Sequence, residues 1–211
     1  MLAPLKRSAW CMESVYKDLK SMKKAYLAAL LASVISAPSL AQSPSFNYVE
    51  VSYFDADGLD GISAALVKEL SDDFVMLADF AYASDSFMDT DIDVTSVSGG
   101  VGYRHAISEK TVLVAGPQLL YARAKVSANI GGQSFSDSDS ETGFGILGLV
   151  RHMVSEQFEL NGGLQYSNIG DGSNTDAFVG ARLHLNEQFS LSASLAFDDA
   201  DTVSVGVAYH F

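Results

Sequence analysis

From Phe46 to Phe211 the chain alternates apolar residues with small or polar ones, the period of a β-strand whose two faces meet different surroundings. The last stretch is the clearest. Val203, Val205, Val207, Tyr209 and Phe211 share one face, with Ser204, Gly206, Ala208 and His210 on the other. Leu191, Ala193, Leu195 and Phe197 alternate in the same way with Ser190, Ser192, Ser194 and Ala196. The pattern predicts ten strands, near 46–55, 61–70, 74–83, 92–104, 110–125, 141–152, 157–167, 176–185, 189–198 and 202–211, the second being the least regular. The connections at 71–73, 108–110, 155–157 and 186–188 are short. The others are longer and rich in Asp, Ser and Gly, and the longest expected loop is Ser127–Ser140. An even strand number, with short turns at one rim and long loops at the other, predicts an all-β fold: a closed antiparallel transmembrane β-barrel. Eight strands would result if the first two are misread.

Aromatic spacing favours a barrel in lipid over one in water. Phe74 and Tyr82, Phe158 and Tyr166, and Phe189 and Phe197 are each eight residues apart on one face. At about 3.3 Å per residue that is roughly 26 Å along a strand. Tilted by about 40°, it becomes roughly 20 Å along the membrane normal, close to an apolar band of about 25 Å between two aromatic girdles. Between the members of each pair that face carries no charge. A water-soluble barrel built around a ligand would turn its apolar face inward instead.

Composition and the N-terminal residues refine this picture. Met22-Lys23-Lys24, the apolar run Ala25–Ala37 and Ser39-Leu40-Ala41 have the layout of a secretory signal cleaved after Ala41. Residues 1–21, with the single cysteine Cys11, read as an upstream extension absent from the mature protein. The whole chain has a net charge of -13. Without residues 1–41 it keeps 7 basic and 24 acidic residues, so 7 minus 24 gives -17. Such a surface excludes nucleic acid as a partner. The absence of cysteine after residue 41 excludes disulfides and thiolate metal clusters.

On these residues the chain resembles the small outer-membrane β-barrel proteins of Gram-negative bacteria, the opacity-like or outer-membrane β-barrel domain group. The resemblance covers about 170 residues and rests on the signal-like Met22–Ala41, the repeated hairpins and the closing Tyr209-His210-Phe211. It implies residence in the cell outer membrane. It also implies that Val203, Val205, Val207, Tyr209 and Phe211 form the signal read by the barrel-assembly machinery. Activity is barely implied, because one fold hosts many functions.

Candidate chemistry is sparse. His105, His152, His184 and His210 all fall at the short-turn rim, away from the loops where an outer-membrane enzyme of this group would work, so a non-enzymatic role is expected. Asp55, Asp57 and Asp60 have the spacing of a cation-binding turn but lack the rest of a calcium loop; they are a weak metal candidate, and loosely held divalent cations are the expectation. Asp79, Arg104, Arg151 and Arg182 share the lumen phase, and arginine inside a barrel requires carboxylates or water, so an interior ion-pair network is expected. Arg123 and Lys125 lie on the outward phase just beyond Tyr121. They could meet lipopolysaccharide phosphates or the acidic segment 127–141, and both obey the same electrostatics. No cofactor is called for. The expected function is structural, adhesive or surface-interacting, in contact with outer-membrane lipids; the runner-up is a narrow, cation-favouring porin-like channel.

Overall fold

A computed structural model describes residues 43–87, 90–130, 133–197 and 201–211. The extension 1–21 and the signal at 22–41 lie outside the described residues. Ten antiparallel strands are present: β1 Tyr48–Ala56, β2 Leu59–Glu69, β3 Phe74–Phe87, β4 Thr90–Ser108, β5 Thr111–Ile130, β6 Gln133–Met153, β7 Phe158–Ile169, β8 Gly172–His184, β9 Phe189–Phe197 and β10 Thr202–His210. Each pairs with its sequence neighbour and β1 pairs with β10, so the sheet closes on itself. The ten-strand expectation holds. Closure removes the free edges that lipid would leave unsatisfied.

The period-two pattern decides which side chains face out. Val49, Val51, Leu119, Ile146, Leu164, Val179, Leu191, Val205 and Val207 are exposed, forming an apolar outer belt. The inner face is dominated by Ser, Gly and Ala in the loop half, as a narrow ten-strand lumen demands. Of the six expected girdle residues, Phe74, Tyr82, Tyr166, Phe189 and Phe197 lie exposed on the belt. Phe158 does not: it sits at the start of β7, where its backbone closes the turn with Ser155 and Val154, and its ring is buried. Three short turns share one design. The amides of Leu70, Val154 and Leu185 donate to the carbonyls of Phe74, Phe158 and Phe189, at 2.8, 2.9 and 2.9 Å. The repeated aromatic after each acidic turn is this closing position.

The largest departure from the expected layout is at the loop rim. Residues 127–130 and 133–140 of the expected loop are strand: β5 and β6 stay paired from Thr111↔His152 to Ile130↔Gln133. Likewise Asp85, Asp91, Asp137 and Asp139, outside the expected strands, lie in strands. Beyond the belt both faces of a strand meet water, so Ser and Asp replace the apolar residues and the hydrophobic contrast disappears while the pairing continues.

Within the belt one ladder is interrupted. Between β4 and β5 the pairing runs from Thr90↔Ala128 to Gly100↔Gln118 and resumes at Tyr103↔Ala115. Pro117 lies in the gap and has no N–H to donate. The strands stay close because Gly116 has no side chain; a Cβ there would overlap the Val101 carbonyl oxygen and the Cα of Gly102. Gly116→Ala should therefore cost about 1–3 kcal/mol by forcing the backbones apart. Urea unfolding of the folded barrel reads this directly, with Gly99→Ala, where a Cβ meets nothing within 4 Å, as the neutral comparison.

Candidate functional site

The lumen is filled at its short-turn half. Residues 43–47 precede β1 and turn inward, so that Phe46 is 1% exposed. Around it pack Tyr48, Val67, Val75, Leu77, Val112, Val114 and Leu147 in one buried apolar cluster. The same layer holds three arginines. The Arg104 guanidinium lies 5.4 Å and that of Arg151 4.5 Å from the Phe46 ring centre, and Arg151 and Arg182 lie 5.4 and 4.2 Å from that of Tyr48. Arginine and aromatic thus alternate across the lumen: Arg104, Phe46, Arg151, Tyr48, Arg182. Each such contact is worth about 0.5–2 kcal/mol, more when desolvated.

Every arginine of this ladder has its own carboxylate. Arg104 pairs with Glu69 on β2, and Arg182 with Glu50 on β1. Arg151 is held from both sides: Nε and Nη2 donate to the two oxygens of Glu159 at 2.6 and 2.8 Å, and Nη1 donates to the Ser45 carbonyl at 2.7 Å. Glu159 is 0% exposed and Arg151 2%, so this pair is wholly removed from water. The remaining oxygens are served by neighbours. Ser192 donates to Glu50 at 2.6 Å, and the Asn47 side chain bonds both the amide and the carboxylate of Glu69. A cavity of about 220 Å³ reaches this layer, lined by Glu50, Arg151, Glu159, Asn161, Arg182 and Ser192 among others.

The expected network is therefore present in its arginines and differs in its acid. Asp79 does face the lumen, but the register sets it beside Ala65 and Ser98, and among the described residues no ion pair includes it. The acids that matter are Glu50, Glu69 and Glu159, which sequence reasoning did not single out. Their signal is their parity: each shares the lumen phase of its strand.

The four histidines lie at the short-turn rim, as expected. His184 Nε2 is 3.6 Å from Glu159, and His210 contacts the fully buried Ser190 hydroxyl at 2.9 Å. Asp55, Asp57 and Asp60 surround the β1–β2 turn, whose Asp57 and Gly58 have φ of 53° and 99°. They do not converge on a metal. Asp55 accepts from the Gly58 amide at 3.3 Å, Asp60 accepts from the Tyr53 hydroxyl at 2.5 Å, and no cluster of three metal-ligating side chains occurs among the described residues. Val203, Val205, Val207 and Tyr209 share the outward phase of β10, Phe211 follows its last residue, and the Phe211 amide donates to the Asn47 carbonyl at 3.1 Å across the closing seam. Arg123 and Lys125 are exposed on the outer face of β5.

A family model described as the outer membrane protein beta-barrel domain matches residues 27–211. No curated protein matches the chain. Among solved structures the chain is similar to the KdgM porin, at 12% identity and a TM-score of 0.47 over 78% of this chain and 99% of that one. It is also similar to Ail, the attachment invasion locus protein of Yersinia pestis, at 20% identity and a TM-score of 0.42 over 78% and 97%. Neisserial surface protein A gives 18% identity and a TM-score of 0.42 over 79% and 98%. Likenesses at this level carry no argument about function.

Proposed function

The chain belongs to the outer membrane protein beta-barrel domain family, and from this premise we propose a closed, non-conducting barrel of the cell outer membrane that works at its outer surface, as a structural or adhesive element. The observation that carries this reading is the filled short-turn half. Phe46 and its apolar cluster fill that half together with three arginine–glutamate pairs. A pore needs a file of polar groups with weak, exchangeable binding along it. A fully buried bidentate ion pair in this layer holds its groups to each other instead.

A non-enzymatic role fits the same geometry. Ser190, which meets His210 at 2.9 Å, is fully buried beneath the rim, where no substrate carbonyl could approach its hydroxyl. The outward row Val203, Val205, Val207, Tyr209 and Phe211 has the alternation and exposure suited to the barrel-assembly machinery, which belongs to the same proposal.

The test is conductance in planar bilayers of the protein purified from outer membranes. The wild type should be silent. Phe46→Ala, which removes the ring between Arg104 and Arg151, should admit water and give brief, cation-favouring openings beneath the acidic rim. Steady openings of the wild type would reject the reading in favour of a channel.

A further inference from the structure

The β5–β6 extension beyond the belt carries opposite chemistry on its two faces. On β6 the register places Phe135, Asp137, Asp139 and Glu141 on the face toward the barrel axis, opposite Ala128, Val126, Ala124 and Ala122 of β5. The outward face of β6 above Phe144 reads Thr142, Ser140, Ser138, Ser136 and Ser134, hydroxyls throughout. On β5 the two outward residues following Tyr121 are Arg123 and Lys125, paired in register with Ser140 and Ser138. The outward face of this hairpin has no acid, in a chain where carboxylates far outnumber cations.

Seven cations follow residue 42, and five of them serve the short-turn half. Arg104, Arg151 and Arg182 are in the lumen ladder, Lys68 lies 5.7 Å from the Phe211 ring centre, and Lys110 is in the β4–β5 turn. Arg123 and Lys125 are thus the whole positive charge of the loop rim, and they sit next to each other. Among the described residues neither forms an ion pair, and Arg123 Nη2 donates to the Ser138 hydroxyl at 3.4 Å. The acid nearest in register is Asp93 of β4, opposite Lys125, and it already accepts the Tyr82 hydroxyl at 2.7 Å. Asp91 accepts from Ser86.

We propose that Arg123 and Lys125, flanked by the hydroxyls of Ser138, Ser140 and Thr142, form a binding site for the phosphate groups of a phosphorylated glycolipid in the outer leaflet, of the lipopolysaccharide class. Two residues apart on one strand, the cations are separated by about 7 Å, within the span of one headgroup. The guanidinium supplies a planar, bidentate donor fork and the ammonium a point charge. Their place just beyond the aromatic girdle is the depth of lipid headgroups. Asp137, Asp139 and Glu141 point away from this side, and the one outward acid beside the cations, Asp93, is engaged by the Tyr82 hydroxyl. The inference rests on the outer-surface reading above but is independent of the plug, so conductance and lipid dependence can fail separately.

The test compares the full chain in phosphatidylcholine vesicles with and without lipopolysaccharide, reading the midpoint of the heat-dependent gel shift. The glycolipid should raise the wild-type midpoint. R123Q/K125Q should lose most of that rise while keeping the wild-type midpoint in phosphatidylcholine alone, and D137N/D139N, on the other face, should keep the rise. If the double variant fails to fold, R123Q and K125Q singly should each lose part of it. A rise that survives in R123Q/K125Q, or no rise in the wild type, would overturn the site. Inorganic phosphate added to phosphatidylcholine vesicles should not reproduce the effect; if it does, the ligand is free phosphate and the lipid assignment is wrong.

Discussion

Arg151→Leu is expected to destabilise the barrel by about 3–5 kcal/mol, because it strands the Glu159 carboxylate where no water reaches. Glu159 is fully buried and accepts two hydrogen bonds from Arg151, while His184 Nε2 stands 3.6 Å from its carboxylate. The substitution also frees the Ser45 carbonyl that tethers the inserted segment and removes the cation between Phe46 and Tyr48. Three elements of the ladder loosen together. Arg104→Leu is the internal comparison. Its pair with Glu69 is partly exposed, with side-chain accessibilities of 22% and 36%, so water can take over much of the lost interaction and the cost should be well under half as large. Removing both charges in Arg151→Leu/Glu159→Leu should restore much of the stability lost by Arg151→Leu, since a buried pair as a whole contributes little against apolar residues of similar size. Urea unfolding of the four proteins in one detergent measures all of this. An Arg151→Leu variant no weaker than Arg104→Leu would mean that the ladder does not hold the interior.

The arginines of this site were legible in the sequence and their partners were not, for a reason that lies in sheet geometry. Parity along a strand is visible in one sequence, so Arg104, Arg151 and Arg182 could be assigned to the lumen. Choosing their acids requires register between strands. Arg151 is paired in register with Asn161, and it reaches Glu159 diagonally from the next step, where Met153 stands opposite. Asp79 had the right parity and the wrong register: it lies one step across the sheet from Ala65, which in turn faces Glu50, so its nearest lumen charge is another acid. Phe46 was missed for a different reason. The alternation placed it at the start of the first expected strand, but it precedes β1 by two residues, and only the inward turn of residues 43–47 reveals that it fills the lumen. At the opposite rim the reverse holds. Strand pairing over 127–130 and 133–140 was invisible because Ser alternating with Asp offers no hydrophobic contrast, yet the parity of those same residues is what separates the acid face from the cationic one.

Val179→Arg should cost about 2–4 kcal/mol, and Thr175→Arg, four residues along the same strand and on the same face, about 0–1 kcal/mol. Val179 is 50% exposed on the outer face of β8 and pairs with Gly162, midway between Phe158 and Tyr166, and with Leu195 of β9. A guanidinium there has hydrocarbon on every outward side and too little length to reach either interface without distorting the bilayer. Thr175 pairs with Tyr166 itself, at the girdle, where an arginine finds headgroups and water. Propensity and local packing differ little between the two sites, since both lie on the outward phase of one strand. The gap between the two costs therefore reports depth in the bilayer. Equilibrium unfolding in lipid vesicles gives both values under one condition. Equal costs would place Val179 outside hydrocarbon and remove the apolar belt as the surface that meets the membrane; a gap of 2 kcal/mol or so fixes the bilayer centre near the Gly162–Val179 pair.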